Sequence, residues 1–236
     1  MIRIQSLAGK AQEKTARGLR LPQVHPLNAV MHVAAWIPLA VLAADILAGR
    51  FSINPIQDIT IRLGRAAILM LAVALAVTPA YILTGWRALL RLGRPLGLYA
   101  FFYASLHVFM FIGVDYQFSL SLLLPDINNK LYIFLGLPAY LILLSLAVTS
   151  YRWWMKRLGK RWKRLHRLVY LAAPLAVLHY AFAAKGNLFK LAGNIYAPAI
   201  YAGVVVFLLG LRLPPVRHWL VGARQRALDW VREGED

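Results

Sequence analysis

Six blocks of apolar residues, each about as long as a bilayer is thick, constrain the fold of this chain more than any other feature. A helix needs roughly 20 apolar residues to cross the ~30 Å hydrocarbon core of a bilayer. Because 60% of the 236 residues are hydrophobic, a soluble domain could not bury this much apolar surface. The sequence therefore predicts an all-α integral membrane protein, a six-transmembrane-helix bundle. The predicted spans are 28–47, 66–85, 96–114, 131–150, 168–184 and 191–211.

The connections between the blocks are short, so consecutive helices are expected to lie antiparallel in one bundle. We expect an N-terminal tail at residues 1–25, a transmembrane domain at 26–212 and a C-terminal tail at 213–236. The spacing of apolar and polar residues in 51–65 predicts an interfacial outer loop there. No internal sequence repeat is found, which disfavours many transporter folds.

The positive charges are distributed very unevenly between the two sides of the predicted bundle. Of 27 lysines and arginines, 21 lie on one side, in the tails and in the second and fourth connections. Cytoplasmic segments of membrane proteins carry this excess, so both termini are expected in the cytoplasm. The same rule accounts for the net charge of +18, and nucleic-acid binding is not needed to explain it.

Two classes of chemistry are disfavoured by what the sequence lacks. The chain contains no cysteine, which excludes disulfides, thiolate metal sites and iron–sulfur clusters. No glycine-rich dinucleotide fingerprint and no P-loop is present, so a recognisable NAD(P)H or ATP domain is not expected.

Four of the six histidines lie at or within predicted spans, where ionisable groups usually have a function: His32, His107, His166 and His179. His107 follows Arg94 by 13 residues and His179 follows Arg164 by 15. At 1.5 Å per residue, both rings reach roughly 20 Å from the inner surface. Two imidazoles at one depth, on different helices, suit the two axial ligands of a b-type haem. Zinc usually takes three or four ligands around one point, so a pair of histidines at one depth suits haem better than zinc.

His32 and His166 lie nearer the inner surface and are candidates for a second haem. His166 and His179 point ~140° apart on an ideal helix. Unless Pro174 bends the helix, His179 is therefore expected to face the third span and His166 the first. The other interpretation makes His166 an interfacial histidine among cations and His32 an ordinary interhelical hydrogen-bonding group. His25 and His218 lie in the tails and receive no role.

Several segments resemble the MsrQ family, also called YedZ, of haem-binding membrane subunits of bacterial methionine sulfoxide reductase systems. This family belongs to a wider group of ferric reductase-like transmembrane domains. The resemblance covers nearly all of residues 25–212. It rests on the segment 94–107, which ends in His107, and on 158–171 together with His179-Tyr180, with further matches at Thr78-Pro79 and between Asp58 and Gly64-Arg65.

The resemblance implies an electron-transfer subunit of the bacterial inner membrane, rather than the catalytic subunit. Haem b is implied, with His107 and His179 as its ligands and His166 as the family's third histidine. The implied acceptor is a periplasmic molybdopterin reductase (MsrP-like) that repairs oxidised methionines. The implied electron donor is the quinol pool or a cytoplasmic flavin reductase. Membrane lipid is the other expected partner. FMN is implied for some members, but no residue here is assigned to it.

One departure from the wider group affects the number of haems. The larger oxidases place two histidines on the third helix, whereas this chain has one, so a second haem depends on His32. Two other functions stay open. A ferric or cupric reductase would use the same haem, and a proton channel or transporter would use His107, His179 and Asp45 as a relay. Haem absorption bands in the purified protein separate the electron carriers from the channel.

Overall fold

A computed structural model describes residues 26–184 and 196–233, and within them the chain forms helices and no strand. This confirms the predicted all-α membrane architecture. A 3-10 turn at Arg87–Arg91 precedes the third helix, and a π-helical segment at Met110–Asp115 extends it. The α-helices are α1 Pro26–Leu47, α2 Pro55–Thr84, α3 Gly93–Phe109, α4 Leu120–Asn129, α5 Leu131–Thr149, α6 Arg152–Leu158, α7 Lys160–His166, α8 Val169–Ala183, α9 Tyr196–Gly210 and α10 Pro214–Glu233.

Five of the six predicted spans are confirmed as helices long and apolar enough to cross a membrane. They correspond to α1, α2, α3 with its flanking segments, α5, and α7 with α8. The sixth predicted span begins at residue 191, outside the described residues, and α9 contributes 15 residues to it. α9 and α10 meet at 74° and reach a membrane-spanning length only as a bent pair. The predicted N-terminal tail also lies outside the described residues.

The prediction of an outer loop at 51–65 is wrong, because α2 already begins at Pro55. The side chain of Asn54 accepts a hydrogen bond from the backbone N–H of Gln57, and proline at the first position suits a helix start. Arg62 lies inside this helix. Its guanidinium lies 2.5 Å from Asp45 and 3.1 Å from Asp58, so the charge is paired where it enters the bundle.

Two antiparallel helix pairs form the centre of the bundle. α2 packs along α3, and α5 packs along α8, while α9 lies against both α2 and α8. Small residues occupy the closest approaches, since Ala100 of α3 and Ala172 and Ala173 of α8 are fully buried. Small side chains let membrane helices approach closely, which is how such interfaces gain packing energy without a hydrophobic driving force.

Pro79 leaves a backbone carbonyl of α2 that a distant side chain satisfies. Pro79 cannot donate to the Leu75 carbonyl, and Arg212 Nη2, from the connection between α9 and α10, donates to that oxygen at 2.7 Å. Unbonded backbone groups are costly in hydrocarbon, so this contact offsets the disruption that the proline causes. The buried Tyr103 hydroxyl of α3 likewise donates across helices, to the Ala35 carbonyl of α1 at 2.6 Å.

The orientation of the bundle in the membrane is a prediction from its charge asymmetry. We expect a reporter fused after Asp236 to be active in the cytoplasm, and a reporter inserted near residue 128 to be active in the periplasm. The reason is that the arginine- and lysine-rich connections resist translocation across the membrane. Paired alkaline phosphatase and fluorescent protein fusions measure this. The opposite pattern would reverse the direction of electron flow proposed below.

Candidate haem site

The rings of His107 on α3 and His179 on α8 lie next to each other in the middle of the bundle. Their centroids are 5.8 Å apart and their planes are inclined at 85°. The two helices come from different helix pairs, so the contact joins the two halves of the bundle. Counting residues from the cationic boundary predicted the common depth of the two rings, and the structure brings them together.

Both rings are held in the same way, through Nδ1. His107 Nδ1 lies 2.8 Å from the Thr60 carbonyl of α2, and His179 Nδ1 lies 2.7 Å from the Tyr132 carbonyl of α5. A carbonyl can only accept, so Nδ1 carries the proton in each ring and Nε2 keeps its lone pair. No hydrogen bond within the described helices uses either Nε2. Histidines that bind metals typically donate their other N–H to a carbonyl in this way.

The separation of the rings fits one metal ion bound between them. Imidazole nitrogens bind metals at about 2 Å, so two ligands on opposite sides of an iron have ring centroids roughly 6 Å apart. The observed separation is 5.8 Å. No group of three or more histidine and carboxylate side chains in the described part of the chain could hold a metal ion. Two ligands suit the axial positions of a haem better than a zinc site.

A cation without a carboxylate partner lies beside this pair. Arg65 Nε donates to the Tyr180 hydroxyl at 3.0 Å, and its guanidinium lies 5.9 Å from the centroid of that ring. Arg65 makes no salt bridge within the described residues. Arg65 is therefore available to an anionic group such as a haem propionate. The sequence marked Gly64-Arg65 and His179-Tyr180 as separate motifs, and it gave no sign that they touch.

His166 contacts the end of the fourth span, so the expectation that it faces the first span is wrong. Its ring stacks on Trp162 with centroids 3.9 Å apart, and its Nε2 lies 3.3 Å from Ser150 Oγ. α7 ends at His166, and α8 begins at Val169. The expected angle assumed one continuous helix from His166 to His179, and the interruption after His166 removes that continuity.

His32 contacts α3 rather than another histidine. Its Nδ1 lies 2.9 Å from the Tyr99 hydroxyl, and its ring is exposed on the outside of the bundle. No hydrogen bond or ring contact in the described residues joins His32 to His166. A second haem on these two residues therefore stays a prediction from the sequence alone. His218 is exposed on α10, and His25 lies outside the described residues.

A polar cluster lies at the junction between α4 and the start of α5. Lys130 Nζ lies 2.6 Å from the Asp126 carboxylate, and the Tyr116 hydroxyl donates to the same carboxylate. Lys130, and then Tyr116, hold the pKa of the Asp126 carboxyl below its usual value. Tyr132, whose ring centroid is 6.0 Å from that of His179, follows Lys130 by two residues. The cluster thus fixes the segment that supports His179.

Comparisons with known proteins show which family the chain resembles. Residues 63–177 match the family described as ferric reductase like transmembrane component. A protein-methionine-sulfoxide reductase heme-binding subunit MsrQ from Rhodospirillum rubrum is 44% identical over 184 residues, covering 78% of this chain and 85% of the relative. The subunits of the same name from Herminiimonas arsenicoxydans and Xanthomonas euvesicatoria are 38% and 37% identical. They cover 81% and 78% of this chain, and 86% and 84% of their own lengths.

Proposed function

The chain belongs to the MsrQ family of heme-binding subunits of protein-methionine-sulfoxide reductases, and from this premise we propose that it carries electrons outward across the bacterial inner membrane on haem b. The acceptor we propose is a periplasmic molybdopterin-containing methionine sulfoxide reductase, MsrP-like, which repairs oxidised periplasmic proteins. The chain itself is the electron-transfer subunit of this system. The catalytic chemistry on methionine sulfoxide belongs to the partner.

One observation supports the haem assignment most strongly. His107 and His179 lie 5.8 Å apart, and each keeps Nε2 free because Nδ1 is bound to a backbone carbonyl. Haem bound here supplies one-electron oxidation and reduction. The residues of the chain would bind the iron through two Nε2 atoms and hold both rings in one tautomer. Arg65 would neutralise a propionate, which lowers the cost of placing that charge inside a membrane protein.

The two sides of the bundle differ in what they offer to partners. Electrons would enter from the quinol pool or from a cytoplasmic flavin reductase. The exposed cations of α7 lie on the side we assign to the cytoplasm. Electrons would leave near the outer segment that includes α4 and the start of α5. FMN has no assigned residues in this chain and enters none of these steps.

A ferric or cupric reductase remains the closest alternative, because the matched ferric reductase-like family uses the same transmembrane framework. A proton relay is less well supported by the described contacts. Asp45 is paired with Arg50 and Arg62, and the Nδ1 atoms of His107 and His179 end on backbone carbonyls. A proton relay requires a chain of ionisable groups linked from one face of the membrane to the other. The contacts of Asp45, His107 and His179 do not form such a chain.

Vesicles that contain the purified protein test the proposed direction and acceptor. With a quinol analogue as reductant inside, an MsrP-like reductase outside should reduce methionine sulfoxide on an added peptide. His179→Ala should lower that rate to the level of empty vesicles. External ferric citrate is the competing acceptor. Rapid reduction of ferric citrate, with no methionine formed by the added reductase, would favour the ferric reductase function and contradict the proposed one.

A further inference from the structure

Each of the two central imidazoles rests against a glycine of the neighbouring helix. A Cβ atom built on Gly64 of α2 would lie 3.0 Å from His107 Nδ1. A Cβ atom built on Gly136 of α5 would lie 2.6 Å from His179 Nδ1 and 2.9 Å from its Cε1. The first distance is a tight contact and the second is an overlap. Any side chain at these positions therefore requires the imidazole or the helix to move.

The two contacts are built alike. In each case the glycine lies four residues after the carbonyl that accepts from the histidine, at Thr60 and Gly64 and at Tyr132 and Gly136. Each histidine lies 47 residues after its carbonyl partner. Each ring thus packs against one helical turn: its Nδ1–H donates to a carbonyl of that turn, and the absence of a side chain on the glycine leaves room for the ring. Two helix pairs that lack detectable sequence similarity to each other have the same arrangement.

Two other glycines in the spans have open space where a side chain would begin. A Cβ atom on Gly97 of α3 or Gly203 of α9 would find no heavy atom within 4 Å. A Cβ atom on Gly113 would lie 3.0 Å from the Phe118 ring, and one on Gly85 would overlap the Arg224 guanidinium, so among the described glycines only Gly64 and Gly136 meet a histidine. Gly97 and Gly203 provide matched controls, because Gly→Ala there adds the same methyl group to a span without touching a histidine.

We propose that Gly64 and Gly136 are positioning residues that set the strength of the two Nδ1–H···O=C bonds and, through them, the reduction potential of the haem. The proposal rests on the haem function given above. A hydrogen bond from Nδ1–H makes an imidazole a stronger donor to its metal, which favours the oxidised iron. A methyl group that displaces the ring from its carbonyl weakens this bond. The reduction potential should then become more positive, and the effect should be larger at Gly136 than at Gly64.

The experiment compares Gly136→Ala and Gly64→Ala with Gly97→Ala and Gly203→Ala in the full chain, purified in detergent. Haem per protein, the potential from a redox titration, and the low-spin ferric EPR spectrum are measured for each. For Gly136→Ala we expect haem affinity to fall about tenfold, a typical effect of disturbing a ligand's supporting partner. Gly64→Ala should keep its haem but show a more positive potential and shifted g values. The two controls should match the wild type.

Alanine forms helices better than glycine, so helix propensity alone cannot explain a loss at either position. If Gly136→Ala does not fold, Gly64→Ala decides the question, because its contact is tight without overlap. Wild-type potential and EPR spectrum in Gly64→Ala, or in a folded Gly136→Ala, would overturn the proposal. A wild-type protein that binds no haem would contradict the proposed function instead, so the two failures are distinguishable.

Discussion

Replacing His179 or His107 by alanine should reduce bound haem to below a tenth of the wild-type content. Removing a ligand should cost more than the roughly 10–100-fold in affinity that is typical when only a ligand's supporting partner is removed. Each substitution also leaves the opposite imidazole, bonded through Nδ1 to its carbonyl, as the single ligand in a site with room for two. Haem per protein, from iron and pyridine haemochrome assays, measures the effect.

His218→Ala is the matched control, because His218 is exposed on α10 and away from the central pair. Its haem content should equal that of the wild type. The melting temperature of each variant, recorded after haem extraction, separates loss of a ligand from loss of the fold. Full haem content with an unchanged spectrum in His179→Ala would show that the two rings are neighbours for another reason.

Reversing three exposed cations of α7, with Lys160→Glu, Arg161→Glu and Lys163→Glu in one variant, should slow reduction of the haem by an acidic cytoplasmic flavoprotein about tenfold or more. None of the three makes a salt bridge within the described residues, so their field reaches solvent. Raising the salt should slow the wild type in the same way, since screening shortens the field to ~3 Å at 1 M. Stopped-flow absorbance at the haem band follows the rate.

A second reversal on the same side, Arg217→Glu with Arg226→Glu on α10, serves as the comparison and should have a smaller effect. Haem content should stay unchanged in both variants, because none of the substituted residues lies near the His107–His179 pair. Equal rates in all three proteins, independent of salt, would show that electrons enter through the membrane phase. A quinol would then be the donor, and the cations would act on topology and on anionic lipid.

The depth of the central histidines in the membrane could be predicted from the sequence, because it depends only on the rise per residue of a helix and on the position of the charged boundary. Counting from Arg94 and from Arg164 placed His107 and His179 at one level, and the structure has their rings 5.8 Å apart. Five spans were predictable for a similar reason, since hydrocarbon admits few polar residues. Both inferences use properties of one segment at a time.

What the sequence could not show involves contacts between segments. The carbonyls of Thr60 and Tyr132 accept from the histidines, and every residue has such an acceptor, so no residue type marks them. The spacing of apolar and polar residues in 51–65 suggested a loop, because the pairing of Arg62 with Asp45 of another helix cannot be read from that segment alone. The direction of His166 was wrong because neither the end of α7 at His166 nor the contact of His166 with Ser150 can be seen in the spacing of histidines. In each case a distant residue decides the local outcome.

The amount of haem in the purified wild-type protein tests whether His107 and His179 bind haem. We expect a reduced spectrum of a low-spin b-type haem with two histidine ligands, and at least one haem iron per chain. Two haem irons per chain, reduced toward one by His32→Ala or His166→Ala, would assign a second haem to those residues. One haem iron per chain would leave His32 with its contact to Tyr99 and His166 with its contact to Trp162. A correctly folded protein that takes up no haem, even when haem is supplied, would contradict the assignment of the two histidines as haem ligands.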